Sequence, residues 1–394
     1  MNLVFFAPFG MSPKATVSAR MMPIASALTR RNHHVTVLIP PYDHPIDHGK
    51  YWTQEGVQIE NMPATDLLGM AWQMAARARQ LRPDVIHVFK PVGPGALAMG
   101  LLYLAGERRL VVDNDDWEGA GGWLDVNPYP AFQKAFMAWQ ERWALRHARA
   151  ITCASDVLME RTLALSHTRQ TLALFPNGPA EELRDQVAAA QTQRHALRAR
   201  FGWHDRPIVI YAGTVPLQHD MDMAVSTVKQ AIKKFPDLRW DIIATGTGLP
   251  ALLEGIQQAG IIDYVKVTDF MPHEQLIERL VAADVAIYPY RDSNINRAKC
   301  SGKVIDYMAC AKPMVVSDVG MNRRYITHGT SGLLTPPGDV AAFSAALITL
   351  LSAPHTALQM GQNAQQTLWD RFSWQPRSAA LEVLYASVGI ARRK

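Results

Sequence analysis

The stretch KCSGKVIDYMACAKPMVVSDVG, residues 299–320, sets a lysine, Lys303, three positions ahead of an aspartate, Asp306. Its pattern reads as a short helix, then Pro313, then an apolar strand and a glycine turn. On a helix that spacing brings cation and carboxylate onto one face, on adjacent turns. The pair is either a surface ion bridge or a device for a ligand that carries anionic groups and hydroxyls together. A second chemical segment is VVDNDDWEGAGG, residues 111–122, where acids crowd behind an apolar run. Asp115 and Asp116 there can orient hydroxyl groups or take a proton, and can equally cap a turn that starts a helix. Gly10 and Gly213 sit in loops behind apolar runs. Their bare amides can approach phosphate oxygens closely, or they are plain turn glycines.

Other candidates read more weakly. His44 and His48 in DHPIDH are four apart, a metal-ligand spacing on a helix, but the prolines favour a loop and the spacing loses its meaning. Lys14, Thr16 and Arg20 read either as contacts for an anionic acceptor or as an ordinary exposed basic loop. Phe132, Phe136, Trp139 and Trp143 recur at helical spacing beside Lys134, Arg142 and Arg146. Such a stripe is more often the core face of a helix; the other reading is a basic amphipathic helix lying on a membrane.

The elements that must position these groups alternate. In the first half, strands are expected over 2–7, 35–40, 84–89, 110–113, 150–154 and 171–175, with helices over 18–31, 66–82, 95–105 and 130–147. A polar helical stretch covers 181–206. Strands then follow over 207–212, 240–245, 264–268 and 285–289, with helices over 220–235, 250–259 and 273–283. The stretch quoted above adds a helix and a strand, 332–335 reads as the last strand, and two amphipathic helices finish the chain. Alternation of this kind argues for parallel sheets covered on both faces. The expected fold class is α/β: two Rossmann-like, doubly wound domains facing each other across a cleft, with the C-terminal helices crossing back to the first. The expected boundaries are 1–178 for the first domain, 179–206 for a linking helix, 207–372 for the second domain and 373–394 for a helix packed on the first. Ligands of such sheets bind at the carboxyl ends of the strands. Neither first loop carries G-x-G-x-x-G, TGTG at 245–248 is a lone G-x-G, and no P-loop pattern occurs, which disfavours a dinucleotide enzyme.

The totals narrow the class. With 48% hydrophobic and 19% charged residues over 394 positions, the chain is globular and long enough for two cores. The net charge of +5 is dispersed along the sequence without a nucleic-acid-binding module, so no nucleic-acid partner is expected. The three cysteines, Cys153, Cys300 and Cys310, imply neither a disulfide framework nor a zinc site. With no secretory pattern at the first residues, the expected location is cytoplasmic, peripheral on the inner face of the membrane if the aromatic stripe is a membrane face. The longest apolar runs fall short of the roughly 20 residues that span a bilayer.

The order of motifs resembles the family 4 retaining glycosyltransferases of GT-B architecture. LTRRNHHVTVLIP is similar to a family segment that has glycine at the place of Asn32, and ARAITCASDVLMERT to its next strand and helix. FPNG at 175–178 resembles the end of its first domain and YAGT at 211–214 the start of its second. DYMACAKPMVVSDVG and HGTSGLLTPPGD resemble its two C-terminal signatures. The resemblance covers nearly the whole chain. It implies transfer of a sugar from a nucleotide-diphosphate donor, with retention, to a glycan, lipid or small-molecule acceptor. Donor binding would fall mainly on the second domain, with no metal and no other cofactor. The family's paired acids fall on Ala298 and Asp306, which leaves Asp306 for the ribose. Its two phosphate cations fall on Thr214 and His219, which leaves the diphosphate to Lys303, helped by Arg297 or Lys299 and by the amides of Gly10 and Gly213. Where the family carries a His-Asp pair, this chain has Asp115 and Asp116, the candidates for orienting the sugar or deprotonating the acceptor. The D-x-D of Asp113 and Asp115 suggests the metal site of a GT-A transferase, which two sheets contradict. Competing readings are a GT-B-fold nucleotide-sugar epimerase and a nucleotide-binding scaffold without activity.

Overall fold

The computed structural model describes residues 1–11, 16–166, 170–215 and 221–389. The chain divides into two compact units. The first comprises Met1–Asn177 with residues 298–300 and the segment from Trp374 onward; the second comprises Gly178–Arg297 and Ser301–Ser373.

The first unit is built on β1 (Asn2–Phe6), β2 (His34–Ile39), β3 (Tyr51–Gln54), β4 (Val57–Asn61), β5 (Val85–Phe89), β6 (Leu110–Asn114), β7 (Ala150–Cys153) and β8 (Thr171–Leu174). Their order in the sheet is β3-β4-β2-β1-β5-β6-β7-β8, parallel throughout except for β3. Leu3, Val4, Phe5 and Phe6 are fully buried, as a strand covered on both faces requires. Covering helices are α1 (Met22–Thr29), α2 (Leu67–Leu81), α3 (Gly93–Leu104), α4 (Trp123–Val126), α5 (Ala131–His147) and α6 (Asp156–Leu165). The sequence pattern gives one helix over 18–31. Instead Val17–Met21 forms a π-helical turn and the regular helix starts at Met22, with Pro23 in its first turn. The turn after α1 passes through Asn32, whose φ of 64° explains why asparagine can replace glycine there.

Two expectations are corrected. The β3–β4 hairpin is absent from the sequence reading, because each strand is short and half exposed. Its turn is built by Glu55 and Gly56 at φ 49° and 78°, the left-handed pair that a two-residue hairpin loop needs. The aromatic stripe of α5 is not a core face. Phe132, Phe136 and Trp139 are 78%, 46% and 50% exposed, while Gln140, Glu141, Ala144 and Leu145 face inward.

The second unit starts with α7 (Leu183–Thr192) and α8 (Arg194–Arg200). Its sheet contains β9 (Ile208–Thr214), β10 (Arg239–Thr245), β11 (Val265–Thr268), β12 (Val285–Tyr288), β13 (Met314–Ser317) and β14 (Leu333–Thr335), ordered β11-β10-β9-β12-β13-β14 and all parallel. The helices around it are α9 (Met221–Lys234), α10 (Leu249–Gln258), α11 (His273–Ala282), α12 (Asn294–Ala298), α13 (Gly302–Ala309), α14 (Asn322–Tyr325), α15 (Val340–Ser352) and α16 (Pro354–Phe372). In both sheets the order reverses once, between β1 and β5 and between β9 and β12. Those reversals open the crevices where doubly wound sheets take ligands. Gly246 of the lone G-x-G serves the fold. At φ 120°, a Cβ there would lie 2.4 Å from the Val215 carbonyl oxygen.

The last helix, α17 (Trp374–Gly389), belongs to the first unit and packs on α1. Glu382 accepts from Arg31 at 2.7 and 2.6 Å and pairs with His33 at 2.7 Å. Tyr385 is fully buried, with its hydroxyl 2.7 Å from Nδ1 of His87 on β5. His87 Nε2 in turn lies 3.3 Å from the Thr152 hydroxyl, which donates to Asp113 at 2.6 Å. Burial pushes the His87 imidazole down to about 4, against the pull of Asp113. The folded state therefore holds His87 neutral, while an unfolded chain protonates it near its ordinary 6.5. This stability is fully present above 6.5 and is lost as pH falls toward 4. The melting temperature of the protein minus that of His87→Gln should rise between pH 4 and 6.5. The span corresponds to roughly 3 kcal/mol at most, and a flat difference would refute the buried neutral imidazole.

Candidate functional site

In the second unit the crevice between β9 and β12 is floored by the start of α13. Three hydrogen bonds fix that helix. Ser301 Oγ caps it by accepting from the Lys303 amide at 3.2 Å and donates to the Tyr288 hydroxyl at 2.7 Å. The buried Tyr307 hydroxyl accepts from the Ala212 amide at 2.9 Å, tying α13 to β9. Lys303 and Asp306 thereby stand one turn apart beside the end of β9. A Cβ on Gly213 would lie 3.0 Å from the Tyr211 hydroxyl and 3.8 Å from Lys303 Cγ, so the missing side chain leaves β9 close to the lysine.

Asp306 is buried and both its oxygens are engaged, Oδ2 by Lys303 Nζ at 3.3 Å and Oδ1 by His273 Nε2 at 3.2 Å. Burial alone would push this carboxyl up, but Lys303 and His273 together hold it below the ordinary carboxylate value. Lys303 is about a third exposed and His273 half exposed, so both present a face to a ligand. Nothing local in the sequence marks His273. It opens α11 after Pro272, 33 positions from the carboxylate it meets.

The other second-unit candidates are placed differently. Thr214 ends β9, its carbonyl accepting from Tyr211 Oη at 3.2 Å. Arg297 closes its guanidinium on Asp292 at 2.5 and 2.7 Å and stands half exposed. His219 lies outside the described residues, as does Lys14. Lys299 belongs to the first unit, its ammonium 5.7 Å from the centre of the Trp123 ring.

In the first unit the acids behind β6 gather around a lysine that the sequence did not single out. Lys90, just past β5 at φ 56°, is almost wholly buried. Its Nζ donates to Asp116 Oδ2 at 2.6 Å and Glu118 Oε1 at 2.7 Å, and lies 3.6 Å from Asp115 Oδ1. That Asp115 oxygen is buried and accepts no hydrogen bond. Burial pushes the Asp115 carboxyl up to about 7; Lys90 opposes the rise, and Asp116 and Asp113 add to it. Asp115 is therefore the group in this crevice best placed to exchange a proton near neutrality. Gly10 sits in the β1 loop, where its amide donates to Asp43 Oδ1 at 2.7 Å.

Arg20 is corrected outright: it is neither an exposed loop residue nor free for an acceptor. It is buried, with Nε and Nη2 on the two oxygens of Asp113 at 2.8 and 2.7 Å, Nη1 on Asn177 and Nη2 also on the Phe175 carbonyl. Asp113 is thus consumed inside the unit, and the D-x-D has no metal-binding pair. Among the described residues, no group of three His, Cys, Asp or Glu side chains is placed to hold a metal ion. Nor is any single described helix long and apolar enough to cross a membrane.

The raised Asp115 value has a checkable sign. The folded state keeps a proton that an unfolded chain loses near 3.9, so this contribution is complete below 3.9 and is lost as pH rises through 7. Asp115→Asn keeps its neutral form at every pH. Its melting temperature relative to the unsubstituted protein should climb from pH 4 to 7, over a span of up to about 4 kcal/mol. A constant offset would show Asp115 to be ionised throughout.

Comparison with known proteins bears on the family and the fold. The sequence pattern of the Glycosyl transferases group 1 matches residues 206–353, and that of the Glycosyl transferase 4-like domain matches residues 16–178. The alpha-D-kanosaminyltransferase of Streptomyces kanamyceticus is 27% identical over 63% of this chain, and the match spans 64% of that enzyme's length. The GDP-mannose-dependent alpha-(1-6)-phosphatidylinositol monomannoside mannosyltransferase of Mycolicibacterium smegmatis is 26% identical over 92% of this chain and 93% of its own. Among solved structures, sucrose-phosphate synthase of Thermosynechococcus elongatus superposes with a TM-score of 0.75 at 18% identity, covering 99% of both chains. Anabaena Alr3699/HepE, solved with UDP-glucose, gives 0.73 at 15% identity over 97% of this chain and 99% of its own. These likenesses show the fold, and the two family patterns together span most of the sequence. The chain belongs to the glycosyl transferases group 1, the family 4 glycosyltransferases of GT-B fold.

Proposed function

We propose that this glycosyltransferase takes a sugar from a nucleoside-diphosphate donor held on the second unit and passes it, with retention, to an acceptor hydroxyl bound on the first. The observation that carries this reading is the arrangement at the start of α13. Lys303 stands beside the open backbone of Gly213, with the ionised Asp306 one turn further on. The bond between the anomeric carbon and the diphosphate oxygen breaks, and the acceptor oxygen bonds to the same carbon from the same face. Negative charge grows on the departing diphosphate, which Lys303 and nearby backbone amides meet without a metal. In the apo state Lys303 rests on Asp306; a bound diphosphate takes the ammonium, and a ribose hydroxyl donates to the carboxylate it leaves. His273 keeps that carboxylate oriented meanwhile. Asp115, with its raised pKa, assists removal of the acceptor proton.

The donor printed for one relative is GDP-mannose and that in one structural neighbour is UDP-glucose, which supports a nucleotide-sugar donor of either base. The named relatives are transferases and synthases, which does not favour an epimerase.

The protein with UDP, GDP or ADP should melt at a higher temperature than alone, and Lys303→Ala should abolish the increase. No increase with any nucleoside diphosphate would overturn the donor site. Incubation with a panel of nucleotide sugars and glycan, lipid or aminocyclitol acceptors should then yield an α-linked product. Release of free sugar or an epimerised donor would point away from transfer.

A further inference from the structure

At the amino-terminal edge of the first sheet, the end opposite Lys90, lies a cavity of about 1190 Å³. Arg79 and Arg82 reach it from the end of α2, Arg108 and Arg109 from the turn before β6, Arg146 from the last turn of α5 and Arg149 from the turn before β7. Against these six arginines the lining holds one carboxylate, Glu107, a surplus of five positive charges. That equals the formal net charge of the whole chain, +5. Three of the arginines are committed to the fold. Arg109 pairs with Glu107 at 2.5 Å, Arg108 donates to the Tyr103 and Glu107 carbonyls, and Arg146 to that of Leu165. Arg79, Arg82 and Arg149 make no ion pair and no side-chain hydrogen bond among the described residues. Forked guanidinium groups lining one cavity without a carboxylate of their own match a phosphoryl group.

The rim indicates where that phosphoryl group comes from. Tyr103 and His147 line the cavity, and Trp143 stacks on His147 with centroids 4.4 Å apart. Trp139 follows at 6.4 Å, and Phe136 stacks on Trp139 at 5.8 Å. The ladder thus runs from the arginines to the exposed face of α5. Beside it on α3, Leu104 is 82% exposed and Leu101 is 43% exposed. Aliphatic side chains of this kind suit acyl chains better than sugar rings, and tryptophan favours the level of lipid headgroups.

We propose that this cavity binds the phosphate of an anionic phospholipid headgroup while the Phe136–Trp139–Leu104 face rests in the membrane interface. The proposal gives the alternative, membrane reading of the α5 stripe a chemical partner, and it stands apart from the donor site, since it involves no nucleotide.

Flotation of the full chain with vesicles tests it. Binding is expected to vesicles of phosphatidylcholine and phosphatidylglycerol in equal parts, weakening as salt rises, and not to phosphatidylcholine alone. The triple variant Arg79→Gln, Arg82→Asn, Arg149→Gln should bind about a hundredfold more weakly, roughly fivefold per arginine. Asparagine at 82 tolerates the left-handed φ of 48° found there. Trp139→Ala should also weaken vesicle binding. Equal binding to both vesicle types, undiminished binding by the triple variant, or no binding at all would overturn the proposal. So would protection of the protein by soluble glycerol phosphate in the absence of vesicle binding, which would make the cavity a site for a free phosphate ester. If the triple variant melts early, the vesicle preference of the unsubstituted chain and its salt dependence still decide.

Discussion

A buried ion pair, Arg20 on Asp113, organises the first unit. Its arginine comes from the π-helical turn ahead of α1 and its carboxylate from the end of β6, and the Phe175 carbonyl and Asn177 side chain complete the guanidinium's shell. Removing one partner of such a pair strands a charge in low dielectric, at a cost of about 3–5 kcal/mol. The pair also fixes what its neighbours can do. Side chains two apart on an extended segment share a side. With Asp113 claimed by Arg20, Asp115 has Lys90 as its nearby cation, and Lys90 already donates to Asp116 and Glu118. Three carboxylates around one ammonium cannot all be compensated, and the one without a hydrogen bond holds its proton most tightly. The acid–base character of Asp115 therefore follows from the architecture of β6.

The second unit settles a similar problem by a different route. Asp306 is as deeply placed as Asp115, yet its carboxyl moves down instead of up. The difference is partner count. Asp306 has Lys303 and His273 to itself, whereas Asp115 shares one lysine with two other acids. Of the two partners of Asp306, Lys303 is about a third exposed, while His273 holds the other carboxylate oxygen. Hydrogen bonds through Tyr307 and Ser301 pin the helix and hold Lys303 and Asp306 beside Gly213.

What the sequence made legible was periodic or local. Strand–helix alternation announced two doubly wound sheets, and the motifs from LTRRNHHVTVLIP to HGTSGLLTPPGD announced the family. Asp306 and Lys303 were visible because three residues on one helix are enough to bring them together. His273 and Lys90 were not, since each meets its carboxylates across at least 25 positions of chain and nothing local marks the encounter. Arg20 was misread for the same reason: its partner, Asp113, is 93 positions away. The α5 stripe shows the converse failure. Helical spacing correctly gave one aromatic face, but periodicity does not say which side of a helix the core lies on. Here the inward face includes a polar pair, Gln140 and Glu141, stabilised by Gly93 and Arg161.

Charge that looks dispersed along the sequence is sorted in the folded first unit. The loops before β6 and β7 and the end of α2 carry arginines, and the loop after β6 carries the acids. A strand of five residues such as β5 separates the two ends by roughly 16 Å, about twice the Debye length of ~8 Å at physiological ionic strength. The arginines line an open cavity, whereas Asp115 is buried at the opposite end of the strands. The sheet thus keeps an arginine-lined edge and a carboxylate-lined edge at opposite ends of one rigid element.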